Sequence, residues 1–248
     1  MPYYDSMSKK AVDIAARYGK KLNITDASEV NPVYRITAFS NPQCWVVTNE
    51  PDLKLMFWGL IPFWVQAKNG SEPARKAAVI EAEKIRKGTY NAKAETIWVK
   101  RSYWKPIKKQ RCIIPLTGFF EYNHIDEKIT VPYYIFPTDD DFFSIGGIWD
   151  SWLDPETGDM LYTFSQITTE ANPMMRKIHN AGKNPFRQPF ILNREDEKRW
   201  LDPELPKEEI QKLLKPFDEK YMDTYAVNND FLKKDKYDPS ILEAREIF

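Results

Sequence analysis

The alternation of apolar and polar positions is clearest around RCIIPLTGFFEY, Arg111 to Tyr122. Gln110 to Ile114 reads as a strand of β-branched and apolar residues stopped by Pro115. Thr117 and Gly118 then bend the chain, and Phe119 to Asn123 resumes as a second strand. A period of two places Phe119, Glu121 and Asn123 on one face of that strand, with Phe120 and Tyr122 on the other. The same patterning predicts strands at Tyr34 to Phe39, Cys44 to Thr48 and Lys54 to Leu60, separated by Asn41-Pro42 and Asn49-Glu50-Pro51. Further strands are expected at Val131 to Phe136, Phe142 to Trp149, Leu161 to Thr168, Phe190 to Leu192 and Tyr221 to Val227. Gly146-Gly147 marks a bulge or a close backbone approach.

Helical periodicity is confined to shorter stretches. Met1 to Asp5 forms an extended arm, and Ser6 or Ser8 caps a helix to about Tyr18 with Gly19 as its stop. Glu72 to Lys87, rich in Ala, Glu, Lys and Arg, predicts a helix ending at Gly88. Ala171 to His179 starts near Asn172-Pro173, while Glu195 to Leu201 and Lys207 to Phe217 read as surface helices. Strands dominate and helices do not alternate with them, so the expected class is α+β, with residues 1–248 as a single domain.

Glu121 is the polar residue that breaks this pattern. A glutamate is depleted in strands and costly to bury unpaired. Set among neighbouring aromatics, it is either edge decoration or a tuned acid.

Composition adds little until its distribution is considered. The 248 residues carry 36 basic and 36 acidic side chains, so bulk charge favours no partner. Arg75 to Arg111, however, holds twelve Lys/Arg against Glu81, Glu83 and Glu95, whereas Asp139 to Glu170 holds eight acids and no Lys or Arg. Such a chain attracts a polyanion on one side only. Lys100, Arg101, Lys105, Lys108, Lys109 and Arg111 interleave with Trp98, Tyr103 and Trp104, a pattern suited to single-stranded nucleic acid, or else a solvated helix face. In FWGLIPFW, Phe57 to Trp64, the aromatics form a packed corner or leave Trp64 a face for base stacking. Lys93 pairs with Glu95 or reaches a phosphate.

Two cysteines, Cys44 and Cys112, both in apolar runs, fit buried thiols in a reducing compartment. With only His124 and His179 besides, no zinc-ligand spacing and no cofactor are implied. No run approaches the roughly 18 apolar residues of a membrane span, and the N-terminus lacks an apolar signal core; a cytoplasmic monomer is expected.

Four stretches occur in order: WGLIPFW, NAKAET (Asn91 to Thr96), RCIIPLTGFFEY, and ANPMMRKIH followed by RQPFIL. Together they resemble the SOS-response-associated peptidase (SRAP) family, whose domain shields abasic sites in single-stranded DNA. The resemblance spans nearly the whole chain. It implies a mixed, mostly antiparallel β-barrel-like core with peripheral helices and a basic groove for single-stranded DNA carrying an abasic site. It also implies site residues. Asn91 matches the asparagine that orients the adduct, Glu121 the carboxylate that assists proton transfer, and His179 the histidine beside the sugar. Lys93, where the family usually has arginine, and Arg187 are expected to face phosphates; lysine keeps the charge without the two-pronged hydrogen bonding.

The sequence departs from the family at two places. Asn180 to Phe186 lengthens the spacing from His179 to Arg187, and Gln188 replaces the usual methionine. Position 2 is Pro2, where the family has the cysteine that closes a thiazolidine on the abasic-site aldehyde. Without that thiol, three readings remain. Pro2, exposed by removal of Met1, forms a reversible iminium that leads to strand cleavage, with Glu121, desolvated between Phe119 and Phe120, as the acid. The protein binds DNA without chemistry. Or it acts as a peptidase.

Overall fold

The computed structural model describes residues 3–23 and 31–245. The strands are β1 (Tyr4–Met7), β2 (Val33–Thr37), β3 (Gln43–Val46), β4 (Lys54–Trp58), β5 (Asn91–Lys93), β6 (Arg111–Leu116), β7 (Gly118–His124), β8 (Thr130–Pro137), β9 (Phe143–Leu153), β10 (Met160–Glu170), β11 (Arg187–Pro189), β12 (Ile191–Leu192) and β13 (Met222–Ala226). The α-helices are α1 (Ala11–Tyr18), α2 (Glu72–Arg86), α3 (Pro106–Lys109), α4 (Pro173–Ile178), α5 (Glu197–Leu201) and α6 (Lys207–Leu213), and short 3-10 turns, among them Ala94–Thr96, link some elements.

Two sheets result. One runs β13-β8-β7-β1-β2. The other is built on β12-β9-β10-β4-β3, with β6 against β9 and both β5 and β11 against β10. Most pairings are antiparallel, while β4 and β5 lie parallel to β10. The α+β class is therefore found. The barrel-like closure is not: among the described residues both sheets are open in their hydrogen-bond order.

Their junction is the bend seen in the sequence. β6 belongs to the larger sheet and β7 to the smaller, and the chain changes sheets at Thr117 and Gly118. Thr117 fixes the bend by donating its N–H to the Ser6 carbonyl at 2.9 Å, and its hydroxyl accepts from the Ser8 N–H at 2.9 Å. A Cβ at Gly118 would fall 2.4 Å from the Tyr134 ring and 2.5 Å from the Ile135 carbonyl, so only glycine permits the approach. Gly146 has the same role in β9, where a Cβ would lie 2.4 Å from the Phe190 ring. Pro115 does not stop β6, since that strand continues to Leu116 against Phe143.

The period of two in β7 separates two clusters. Phe119 enters the main core between the sheets, whereas Phe120 stacks on Phe231 at 4.7 Å in a smaller cluster with Tyr134, Val227 and Ile241. Burying each phenylalanine contributes about 2–3 kcal/mol. β1 lies between β7 and β2, pairing Tyr4 with Phe120 on one side and with Thr37 on the other. The expected extended arm is thus partly an interior strand, and the first helix starts only at Ala11; its stop at Gly19, with φ +61°, is as expected. Met1 and Pro2 lie outside the described residues.

Candidate functional site

Glu121 follows Phe119 on the core-facing side of β7 and is 5% exposed. His179 arrives from a different direction. Asn172 caps α4 by accepting the Met175 N–H at 2.8 Å, Pro173 opens the helix, and the chain leaves it at His179, 7% exposed. Both side chains line one cavity of about 280 Å³ together with Tyr3, Tyr4, Phe39, Phe120 and the Ala181–Asn184 loop. Tyr3 and Tyr4 therefore reach the same space as the two residues singled out for proton transfer.

Glu121 is the electrostatic centre of that space. Burial raises the Tyr3 hydroxyl pKa, and the nearby Glu121 charge adds to the effect. For His179, burial lowers the pKa, with Glu121 pulling in the opposite direction. Nδ1 of His179 lies 3.1 Å from both the N–H and the carbonyl oxygen of Arg187. A neutral ring accepts from the first and a charged ring donates to the second, so either protonation state has a partner at Nδ1.

Asn91 is 7% exposed in β5 and is registered against Gln166 of β10. It is not among the residues lining the cavity but sits one residue from Tyr90, whose ring meets Tyr3 edge-on at 6.3 Å. Lys93, two residues on, donates from Nζ to Asn184 Oδ1 at 2.6 Å and so ties β5 to the cavity-lining loop.

Arg187 and Trp64 are placed differently from the other expected site residues. The Arg187 guanidinium is buried and grips both oxygens of Glu95, at 2.7 and 2.9 Å, with a further bond to the Thr168 carbonyl at 2.7 Å. Its hydrogen-bonding capacity is spent largely within the fold. Trp64 is half-buried beside α2, near Ala77, Ile80 and Ile85, and the Arg101 guanidinium covers its ring at 4.2 Å. Cations also lie over rings at the surface: the exposed Lys105 over Phe63, the exposed Lys108 over the exposed Trp104, and, from outside this stretch, Lys207 over Trp98. Arg111 is not a surface cation at all; it is 2% exposed and bonds the carbonyls of Ile107, Lys108, Trp200 and Asp202 at the ends of two helices.

Two neighbours of the site escaped the sequence reading. Asp5 is 1% exposed in β1, and Gln166, fully buried in β10, donates to it from Nε2. An acid inside an apolar strand was the available signal, the same one that drew notice to Glu121. No group of three or more His, Cys, Asp or Glu side chains able to hold a metal ion occurs among the described residues. Among them, too, no helix is long and apolar enough to cross a membrane.

The family that the motifs suggested is the one the comparisons find. The chain belongs to the SOS response associated peptidase (SRAP) family, whose profile matches residues 4–233. It is 36% identical to the abasic site processing protein YoqW of Bacillus subtilis over 220 residues, covering 87% of this chain and 88% of that one. It is 28% identical to the abasic site processing protein HMCES of Xenopus tropicalis, in a match over 69% of this chain and 51% of that longer protein. A crystal structure of a Bacteroides thetaiotaomicron protein superposes with a TM-score of 0.88 at 42% identity, covering 98% of this chain and 100% of that one. A Bordetella bronchiseptica protein, 20% identical, shares the fold with a TM-score of 0.70 over 91% of this chain and 99% of that one.

Proposed function

We propose that this protein processes abasic sites by binding single-stranded DNA at the lesion and presenting its N-terminal segment to the ring-opened sugar aldehyde. The observation that carries the reading is the shared cavity. Glu121 from β7 and His179 from the end of α4 meet there beside Tyr3, the neighbour of Pro2 in sequence. The abasic-site role of the homologous proteins supports the substrate class.

Pro2 directs the chemistry away from a thiazolidine, which needs a thiol beside the amine. Once Met1 has been removed, the secondary amine of Pro2 attacks C1′ of the aldehyde, forming an N–C bond and a carbinolamine. Protonation of the carbinolamine oxygen and loss of water give an iminium. Its positive charge acidifies C2′; a base removes that proton, the C3′–O bond breaks and the 3′-phosphate leaves. Water then hydrolyses the unsaturated iminium and returns the amine. An α-amine with a pKa of about 8 is about one-tenth unprotonated at pH 7, a far larger share than for lysine, so attack needs less help from a base. Glu121 and His179 serve the proton transfers, one at the departing water and the other at C2′, while Asn91 orients the sugar.

Denaturing electrophoresis tests this directly, using single-stranded DNA with one abasic site, with and without borohydride. A covalent band that appears only with reductant, plus cleaved strand without it, is expected. A stable band without reductant would refute the iminium route. Native-gel binding with neither band would leave a DNA-binding module without chemistry.

A further inference from the structure

Asp5 and Gln166 form a buried pair across the two sheets. Asp5 sits in β1 of the smaller sheet, hydrogen-bonded between Phe119 of β7 and Ile36 of β2. Gln166 is in β10 of the larger sheet, registered against Asn91 on one side and Gly147 on the other. The bond from Gln166 Nε2 to Asp5 Oδ2 is therefore a strut. At one end is the strand leading to Tyr3 and the cavity; at the other is the strand that supports Asn91.

The remaining two polar atoms of the pair are informative. Asp5 Oδ1 and Gln166 Oε1 are both buried without a hydrogen-bond partner among the described residues. A carboxylate would leave two acceptors with nothing to accept. A carboxylic acid has one O–H to donate, and it meets a carboxamide that offers one donor and one acceptor. Among the described residues no basic side chain offsets a charge at Asp5: the titratable groups acting on it or responding to it are Glu121 on β7 and Cys44 on β3. Burial pushes the Asp5 carboxyl up to about 8, against the Gln166 bond and with a further push from Glu121.

We propose that Asp5, braced against the Gln166 carboxamide, is the positioning residue that docks the N-terminal strand beside Asn91 and Glu121. It does so as the neutral acid. Ionisation would put an unpaired charge between the sheets, near Glu121, and loosen the strut on which the alignment of the N-terminus depends.

The catalytic half of this inference rests on the reaction proposed above; the protonation half does not. Two measurements keep them apart. First, Tm is followed across about pH 5 to 9 for the wild type and Asp5→Asn, whose amide oxygen can accept the Gln166 Nε2 bond and whose NH2 offers a donor, without a titrating proton. A folded-state pKa above the unfolded value contributes stability that is complete below about pH 4 and lost as pH rises through about 8. The wild-type Tm should therefore fall relative to that of D5N over this range; parallel curves would overturn the protonated pair. Second, borohydride trapping on abasic-site DNA is compared in the wild type, D5N and Asp5→Leu. D5L should bind undamaged strand as the wild type does yet trap the lesion roughly tenfold or more less well, as misaligned reacting groups do, with D5N rescuing most of the loss. Trapping by D5L equal to wild type would overturn the positioning role. If D5L does not fold, Asp5→Ser takes its place. If the wild type itself fails to trap, the proposed reaction falls, and the Tm comparison still decides the state of Asp5.

Discussion

Arg187 and Glu95 form a two-pronged ion pair, Nη1 to Oε1 at 2.7 Å and Nη2 to Oε2 at 2.9 Å, with the arginine buried and the carboxylate half-exposed. The pair closes β11 and β10 over the 3-10 turn that follows β5. An arginine so occupied stabilises the fold before it can serve DNA. Arg187→Ala should cost about 2 kcal/mol, because charge-assisted hydrogen bonds are lost and Glu95 can partly recover solvation. Arg187→Lys keeps the charge but not the fork, and should recover only part of that loss. Urea denaturation checks both. Burial would raise the Glu95 pKa, but the Arg187 hydrogen bonds and charge outweigh it and hold that carboxyl below its usual range. The pair's contribution is therefore present above about pH 4.5 and lost as pH falls through the folded-state value. The Tm difference between wild type and R187A should shrink in acid; a constant difference would mean that the pair contributes nothing specific.

In the proposed DNA-binding role, phosphate contacts would fall to cations with less internal commitment. Lys183 is exposed on the cavity loop, and Lys93 holds Asn184 by a single bond. If about four phosphates are neutralised, log affinity for single-stranded DNA should fall with log salt at a slope of about −3. Removing one contact by Lys183→Ala or Lys93→Ala should flatten the slope by about 0.7. R187A should leave it unchanged. Fluorescence anisotropy at several salt concentrations measures all four proteins; salt-independent binding by the wild type would remove the electrostatic basis for a DNA groove.

The strands were legible because apolar alternation survives wherever one face of a sheet meets the core. β4, β7, β8 and β10 each lie within a few residues of their expected limits. Two short strands, β5 and β11, were not legible. β5 has three residues and is a strand only because β10 accepts it as a parallel partner; β11 likewise follows from β10. α1 starts later than its expected Ser6 or Ser8 cap because β1 runs on to Met7, with Ser6 paired to Gly118 and Met7 to Val33. For the site, an acid in an aromatic strand drew attention to Glu121, which is buried and lines a cavity with His179. The same clue at Asp5 was obscured by its nearness to the chain start. Arg187 and Trp64 show the opposite limit: residue type and motif position suggested contact with DNA, but only three dimensions reveal Glu95 and Arg101 already against them.

The sheet junction makes a sharper stability prediction than any polar contact. Gly118→Ala places a methyl 2.4 Å from the Tyr134 ring and 2.5 Å from a backbone carbonyl that cannot swing aside. Gly146→Ala meets the Phe190 ring at 2.4 Å. Overpacking of this kind costs about 1–3 kcal/mol. The loss at Gly118 should be the larger, because β7 must shift against β8 while a ring can rotate. Chemical denaturation of the two variants decides the order. Equal, negligible losses would show that the sheets meet less closely than described.

His179 gives a prediction that needs no DNA. The chain has two histidines, and His124 is exposed at the end of β7, so His124→Gln leaves one imidazole to follow by nitrogen-detected NMR. Burial lowers the His179 pKa while the charge of Glu121 raises it, and burial is the stronger. The folded-state value should therefore lie below the ordinary value of about 6.5. Because the unfolded chain takes up a proton first as pH falls, stability from neutral His179 is complete above about pH 6.5 and declines below it, toward the folded-state value. Glu121→Gln removes the opposing charge and should lower the His179 pKa further, by about one unit or less if the two groups interact across a partly solvated cavity. An unchanged titration in E121Q would mean that the two side chains share a cavity without sharing a field, and proton transfer between their roles at the sugar would lose its electrostatic basis.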